Sequence, residues 1–226
     1  MRLDFTFVGP YLPLILEATQ LTVVLSLASF AAGLGLGFLV AVARVLGGRD
    51  TNAVLGGLVD LVRGTPLLVQ LLVWYLGLSV LGLELSPFAA ALVGLTVNAA
   101  AFISEILRGA IRAVPFGQRE AALAMGLSPA YSVVGIELPQ ALPAIVPALM
   151  GFFIGLVKDT SLAYILGLYE LTRTGKIIAE REFRPLEIYL VVALIYFVLC
   201  FPLSQFAIYA NRRLGRTGLV QERLSV

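Results

Sequence analysis

The sequence predicts an all-α polytopic membrane protein with five transmembrane helices. Apolar residues make up 59% of the 226 residues and charged residues only 13%, against about 45–50% and about 25% in soluble domains. Several apolar stretches approach the roughly 20 residues that a helix needs to cross a bilayer. A surface so poor in charge excludes a soluble globular enzyme, a disordered regulator and a nucleic-acid binder.

Five stretches are apolar enough to be spans. They cover residues 21–43, 67–83, 87–107, 141–157 with an extension to 168 left open, and 188–210. Thr65-Pro66 and Ser86-Pro87 each place an N-cap residue before a proline at the first helical position. We therefore expect the second and third spans to begin at these two pairs.

Small residues inside the spans predict close helix packing. Gly33 and Gly37 lie four residues apart in the first span, and Gly151 and Gly155 repeat this spacing in the fourth. Small residues at this spacing let two helices approach closely in lipid. Three prolines at the start of the fourth span form either a flexible hinge or a fixed bend.

Basic residues in the connections predict an outside N-terminus and an inside C-terminus. Ten arginines lie on the predicted inner side: Arg44, Arg49, Arg63, Arg108, Arg112, Arg119, Arg212, Arg213, Arg216 and Arg223. The outer side carries Arg2 and five further bases between residues 158 and 184. That second group counts against the orientation, which nevertheless has the larger number of bases inside.

Charged and polar residues inside the spans are candidates for function, because they are costly in lipid. Asn98 lies roughly 18 Å along a helix from Ser86, near the bilayer midplane; an interhelical hydrogen bond is the alternative role. Glu105 precedes Arg108 by three residues, which predicts an ion pair. Lys158-Asp159 either interrupts a membrane-embedded helix beside a cavity or forms an interfacial ion pair.

Residues 115–139 predict two short helices at the membrane face. Gly126 is suited to end the first helix in a left-handed conformation, and Ser128-Pro129 to begin the second. Apolar side chains are left partly uncovered: Leu123, Met125, Leu127, Tyr131 and Val134. Such a segment packs on its own protein or fits the groove of a partner.

This segment resembles the EAA motif of bacterial ABC importer permeases. Glu120-Ala121-Ala122 is followed by three residues and Gly126, and then by nine further residues and Ile136-x-Leu138-Pro139. The resemblance implies that residues 115–139 are a cytoplasmic coupling loop that docks on a separate ATP-binding subunit. The coupling residues it implies are Glu120, Ala121, Ala122, Gly126, Leu127 and Ser128. The chain itself lacks the GxxxxGK[ST] pattern of a P-loop.

Further segments are similar to the polar-amino-acid branch of these permeases, which includes histidine, arginine and glutamine permeases. They are RGTPLLVQ at 63–70, the Asn98-to-Gly109 segment, KDTSL at 158–162 and ELT at 170–172. The similarity extends over essentially the whole chain. It implies the type I importer fold, with residues 1–226 as a single transmembrane permease domain in the bacterial cytoplasmic (inner) membrane.

The resemblance also implies the function and the partners. The chain is expected to be the permease subunit of an ATP-driven amino-acid importer, in contact with membrane lipid and with no nucleic acid. A second permease subunit, identical or different, two ABC ATPase subunits and an extracytoplasmic solute-binding protein complete the assembly. ATP and Mg²⁺ are expected on the ATPase, so this chain is expected to hold no cofactor, metal or catalytic residue.

Other functions fit the sequence less well. A membrane-embedded enzyme or protease needs a nucleophile and base or metal ligands, but histidine is absent and Cys200 is the only cysteine. A passive channel does not need a partner-docking loop. An ABC permease for another small solute, such as an opine or a sulfur-containing amino acid, stays open.

The resemblance implies an amino-acid site at Lys158 and Asp159. Lys158 suits an α-carboxylate and Asp159 an α-ammonium, while Asn98, Gln70 and Phe152 are the further candidates. Relatives often carry Asn-Glu-Phe-Ile shortly before this pair, and here the run is Gly-Phe-Phe-Ile at 151–154. The missing acid predicts an uncharged or aliphatic cargo, or a site kept only by a paired subunit.

Overall fold

The computed structural model describes residues 3–214, and the regular elements within that range are all helical. The α-helices are α1 (Leu12–Leu46), α2 (Arg49–Arg63), α3 (Leu67–Leu72), α4 (Leu78–Val80), α5 (Pro87–Arg112), α6 (Phe116–Ala124), α7 (Pro129–Tyr131), α8 (Leu138–Asp159), α9 (Leu171–Glu182) and α10 (Pro185–Leu214). Tighter or wider helical turns occupy Thr6–Tyr11, Val73–Gly77, Ser132–Glu137 and Thr160–Leu166. The predicted all-α class is confirmed. Arg2, Arg216 and Arg223 lie outside the described residues.

Four helical stretches of the described chain are long and apolar enough to cross a membrane. They are Thr6–Leu46, Pro87–Arg112, Pro129–Leu166 and Pro185–Leu214. The predicted second span is the exception, because Leu67–Val80 qualifies only when it is counted together with Arg49–Arg63 as one broken pair. The first span begins before the predicted Leu21, since Glu17 and Gln20 face outward from α1 and do not end it.

The predicted helix starts are confirmed at one proline and wrong by one residue at the other. α5 begins at Pro87, and the Ser86 hydroxyl accepts a hydrogen bond from the Ala89 N–H at 3.2 Å. Pro66, by contrast, is itself the extended N-cap of α3, which begins at Leu67. The proline without an N–H therefore stands one position earlier than expected.

One compact unit contains the residues up to Ala31, Thr65–Thr96 and Phe153–Pro202. Its apolar core joins α1, α9 and α10 through Ile15, Leu171, Ile178, Ile188 and Val192. Helix α9 is amphipathic, because its buried residues recur three to four positions apart. This helix gives a structure to the segment after residue 171, for which the sequence predicted none.

The other compact unit contains Ala32–Gly64, Val97–Phe152 and the residues from Leu203. Helices α1 and α5 are in close contact here, because a β-carbon added to Gly37 would lie 2.8 Å from the Ala100 carbonyl oxygen and 3.0 Å from Ile103. The predicted close packing is thus confirmed at Gly37. Gly151 of this unit shows no such packing, because an added β-carbon meets no atom within 4 Å in the described part of the chain, and the same is true of Gly155 in the first unit.

Candidate functional site

Residues 115–139, for which a coupling role is predicted and which are called the coupling segment below, form the predicted two helices with a glycine elbow. After α6, the N–H of Leu127 bonds to the Ala122 carbonyl at 3.1 Å, and Gly126 has a φ of 79°. That left-handed conformation is strained for residues with a side chain. The hydroxyl of Ser128 then accepts the N–H of Tyr131 at 3.2 Å and caps α7.

The surface of the coupling segment is apolar and open. Ala122 is buried at 1% exposure, whereas Met125 and Phe116 are exposed at 70% and 69%. Glu120, Ala121 and Ser128 are also exposed, and Leu127 is half-buried. The expectation of uncovered apolar side chains is confirmed. The structure therefore presents Glu120 and Ala121 beside exposed hydrophobic side chains, as a docking element requires.

A buried carboxylate, that of Glu137, lies at the end of the π-helical turn that follows α7. Glu137 is 5% exposed and accepts a hydrogen bond from the Ser132 hydroxyl at 2.9 Å, across the π-helical turn that follows α7. It lies beside a cavity of about 560 Å³ that Arg112 and Arg119 also line. Sequence reasoning missed Glu137, because its spacing of five residues from Ser132 is typical of a π-turn and not of an α-helix.

The Lys158-Asp159 pair lies where the helical conformation changes. Helix α8 ends at Asp159 and continues as a 3-10 helix over Thr160–Leu166, inside one apolar stretch. Lys158 is exposed and Asp159 is half-buried. Among residues 3–214, neither side chain takes part in a hydrogen bond or a salt bridge, and only charge attraction links them. Both charges thus lie, without a hydrogen-bond partner among the described residues, where the α-helix changes to a 3-10 helix.

The other candidate substrate residues are divided between the two units. Gln70 belongs to the first unit, with Lys158 and Asp159, and its side-chain nitrogen donates to the carbonyl and the hydroxyl of Thr65, each at 3.0 Å. Asn98 and Phe152 belong to the second unit. Asn98 is buried at 6% exposure. The roles of all five residues in binding stay predictions.

The predicted pair of Glu105 and Arg108 is confirmed. Arg108 donates from Nε to Oε1 of Glu105 at 3.0 Å and from Nη2 to Oε2 at 2.5 Å. Arg44 of α1 is a further partner of Oε1, which the sequence did not indicate because it lies 61 residues away. This cluster ties α1 to α5.

Glu170 is the second buried carboxylate that the sequence did not single out by its chemistry. It caps α9, accepting the N–H groups of Thr172 at 2.8 Å and Arg173 at 2.7 Å, while Tyr196 of α10 donates its hydroxyl at 3.3 Å. Burial disfavours the charged form and raises the pKa of the Glu170 carboxyl, although these donors oppose the shift. The residue joins α9 to α10.

Metal ligands are not gathered in the described part of the chain: no group of three or more histidine, cysteine, aspartate or glutamate residues there has the geometry to hold an ion.

Comparison with known proteins decides the family. The family described as "Binding-protein-dependent transport system inner membrane component" matches residues 33–216, which is most of the chain. The chain belongs to this family. It is accordingly an inner-membrane transport subunit and not an enzyme, and ATP hydrolysis belongs to a separate subunit.

Several characterised permeases are similar over nearly their whole length. The glutamine transport system permease protein GlnP of Escherichia coli K12 is 38% identical over 96% of this chain and 98% of its own. The arginine transport system permease protein ArtQ of Bacillus subtilis is 34% identical, over 95% and 98%. The L-cystine transport system permease protein TcyB of Bacillus subtilis is 36% identical, over 90% and 88%.

Solved structures confirm the fold. A crystal structure of an amino acid ABC transporter with histidines is similar with a TM-score of 0.86 and 33% identity, covering 94% of this chain and 100% of that one. The MetNI methionine ABC transporter in an inward-facing conformation is similar in fold, with a TM-score of 0.79, 23% identity and coverage of 91% and 98%. The type I importer permease fold expected from the sequence is therefore confirmed.

Proposed function

We propose that the chain forms the translocation path of an importer for amino acids with uncharged side chains. The relatives named for glutamine, arginine and cystine all support an amino acid as cargo. The position where an acid would face a cationic side chain holds Phe152 instead. A half-buried aromatic ring there favours an uncharged side chain over that of arginine or lysine.

The substrate site of this proposal is centred on Lys158 and Asp159. Lys158 binds the α-carboxylate and Asp159 the α-ammonium, while Asn98, Gln70 and Phe152 contact the remainder of the cargo. The single observation that carries the assignment is the Asp159 carboxylate, which is half-buried at the end of α8 without a hydrogen bond or salt bridge to any described residue. Charges in membrane segments are usually paired or functional.

Uptake into proteoliposomes tests the cargo. This chain is reconstituted with its ATPase and solute-binding protein and given a labelled mixture of amino acids with unlabelled competitors. We expect ATP-dependent accumulation of label that unlabelled glutamine or another uncharged amino acid reduces by competition. If only unlabelled arginine or lysine reduces the accumulation, the assignment of the side-chain pocket is contradicted.

Substitutions test the site itself. Asp159→Asn retains the shape of the side chain but removes its charge, so we expect uptake to fall about tenfold or more, the value of one charge-assisted hydrogen bond. Glu180→Gln makes the same chemical change on the exposed face of α9 and should leave uptake unchanged. Phe152→Glu should increase competition by arginine; unchanged selectivity would place Phe152 outside the pocket.

The coupling role is proposed for Glu120, Ala121, Ala122, Gly126, Leu127 and Ser128. We expect Glu120→Lys and Gly126→Asp to leave the chain inserted and assembled but to uncouple ATP hydrolysis from uptake. Gly57→Asp is the matched control, because Gly57 is also exposed with open space around it but lies on α2. Normal transport by both coupling variants would refute the docking role.

The assembly and the orientation belong to the same proposal. Two copies of the permease, or one copy and a related subunit, pair with two ABC ATPase subunits that hold ATP and Mg²⁺, and with one solute-binding protein. The mass of the purified complex gives this stoichiometry. For an outside N-terminus, Phe183→Cys in a Cys200→Ala background should react with an impermeant maleimide from outside, and Met125→Cys only after permeabilisation.

A second cargo is favoured by one observation. The cystine permease TcyB is 36% identical, so a sulfur-containing amino acid is the alternative cargo, and an opine is a further one. Stronger inhibition of uptake by unlabelled cystine than by unlabelled glutamine would establish the sulfur-containing cargo.

A further inference from the structure

Two arginines already neutralise Glu105 in the second unit. Arg44 and Arg108 donate to its two carboxylate oxygens, and Arg44 also contacts the Asn52 side-chain oxygen at 3.3 Å. The side chains of Arg44, Arg108 and Glu105 are 8%, 19% and 17% exposed. Both oxygens of Glu105 therefore have charged donors, and the three side chains are largely buried.

Arg63 is a third arginine at the same carboxylate, and it is held differently. Its Nη1 lies 3.8 Å from Oε2 of Glu105, beyond hydrogen-bond distance, and its side chain is 38% exposed. The guanidinium lies over the ring of Phe102, 5.3 Å from the ring centre, and Phe102 stacks on Phe152 at 5.8 Å. The ring of Phe102 thus positions the guanidinium of Arg63, and none of its N–H groups donates a hydrogen bond to a described residue.

The charges around Arg63 do not balance. Arg44, Arg63 and Arg108 face one carboxylate, Glu105, and the exposed Asp60 acts on Arg108. Three cations and two anions leave one positive charge in excess. A guanidinium presents a planar fork of donors that matches a carboxylate or phosphate, and it is more weakly hydrated than an ammonium. The arrangement therefore has the chemistry of an oxyanion-binding site, in which the guanidinium of Arg63 is the group that remains to bind an anion.

We propose that Arg63, beside the ring pair of Phe102 and Phe152, is a receptor for an oxyanion. The α-carboxylate of the amino acid occupies it at a different stage of transit from the one at which Lys158 binds that group. This inference rests on the proposed amino-acid cargo. Asn98 lies one helical turn before Phe102 on α5, so the receptor adjoins a residue already proposed to contact the cargo. The stacked rings provide an apolar wall for an uncharged side chain. The phosphate of an anionic lipid is the other source of the same chemistry.

A competition measurement on the permease–ATPase complex tests the receptor directly. The complex is placed in nanodiscs without the solute-binding protein, so that recognition by that protein does not intervene. A labelled amino acid that the wild-type complex accumulates is displaced by the unlabelled amino acid and by its α-carboxamide. We expect the carboxamide to compete at least about tenfold more weakly in the wild type, as the loss of one charge-assisted contact predicts.

The variants then assign that preference to a residue. In Arg63→Gln the ratio of the two competitors should fall, leaving only the preference that Lys158 contributes. Arg63→Lys should retain part of the lost preference, because lysine keeps the charge but not the planar fork of donors. Arg49→Gln is the matched control, since Arg49 is an exposed arginine at the other end of α2. All variants are compared as monodisperse complexes with the ATPase. An unchanged ratio in Arg63→Gln overturns the inference.

Two further outcomes separate the sources and the hypotheses. The measurement is repeated in nanodiscs of phosphatidylcholine alone and with phosphatidylglycerol. If Arg63→Gln changes the ratio only in nanodiscs with phosphatidylglycerol, Arg63 binds the lipid phosphate, and the proposal that it binds the α-carboxylate is overturned. Absence of uptake by the wild-type importer overturns the amino-acid cargo and this inference together, whereas intact wild-type uptake with an unchanged ratio overturns Arg63 alone.

Discussion

Removal of the Glu105 charge is the perturbation with the largest expected effect on stability. Glu105→Gln retains the shape of the side chain, and its amide oxygen still accepts one hydrogen bond. The variant leaves Arg44 and Arg108 without the charge that compensates them, while their side chains are only 8% and 19% exposed. The structure therefore predicts destabilisation by the uncompensated cations and not by a cavity.

The size of this effect follows from burial. Breaking a buried ion pair by removing one partner costs about 3–5 kcal/mol. Because Glu105 is 17% exposed and the amide keeps one hydrogen bond, we expect the lower end, about 3 kcal/mol. For a chain of this length, about 2–4 °C of melting temperature corresponds to each kcal/mol, which gives a decrease of about 6–12 °C.

Thermal unfolding of the detergent-solubilised complex measures this effect. Glu180→Gln is the control, because its pair with Lys176 is 3.7 Å long and both side chains are more than half exposed, so the melting temperature should change by about 2 °C or less. Adding Arg44→Met to Glu105→Gln should restore part of the loss, since it removes the most buried unpaired cation. Equal melting temperatures for Glu105→Gln and the control would refute the reasoning.

Three further predictions use the same unfolding assay. Gly37→Ala should destabilise the protein by about 1–3 kcal/mol, because the new methyl group overlaps the backbone of α5, whereas Gly35→Ala meets no atom within 4 Å and should be neutral or stabilising. Equal effects of these two variants would count against the packing of α1 on α5. Burial raises the pKa of the Glu170 carboxyl, so the stability that its protonation contributes is full below the ordinary carboxyl pKa and is lost as the pH rises through the raised pKa. Glu170→Gln cannot ionise and should therefore not show this loss of stability with rising pH. The same pH profile of stability in Glu170→Gln and the wild type would contradict this assignment. Phe183 has a φ of 54° and is 89% exposed, so Phe183→Gly should raise the melting temperature by relieving a strain of about 1–2 kcal/mol, and a lower value would show that the ring makes a stabilising contact.

Local signals in the sequence predicted much of the helical architecture. Helix α5 begins at Pro87, as predicted, because an N-cap, a proline and a long apolar run act within a few residues of one another, but it extends beyond the predicted residue 107 to Arg112. The same is true of Gly126, whose left-handed conformation at the end of α6 follows from the absence of a β-carbon. The second span was predicted less well, because an apolar run does not reveal where a helix is broken.

The sequence by itself determined the class of the protein, the two short helices within residues 115–139 and the pair Glu105–Arg108, since each depends on composition or on residues a few positions apart. Only the tertiary structure decided that Arg44 and Arg63 lie at the same carboxylate, and that Tyr196 reaches Glu170. These partners are separated by 26 to 61 residues, and no periodicity relates them. Contacts of this kind arise when packed helices bring distant turns together, and the cost of burying charge then selects which side chains pair.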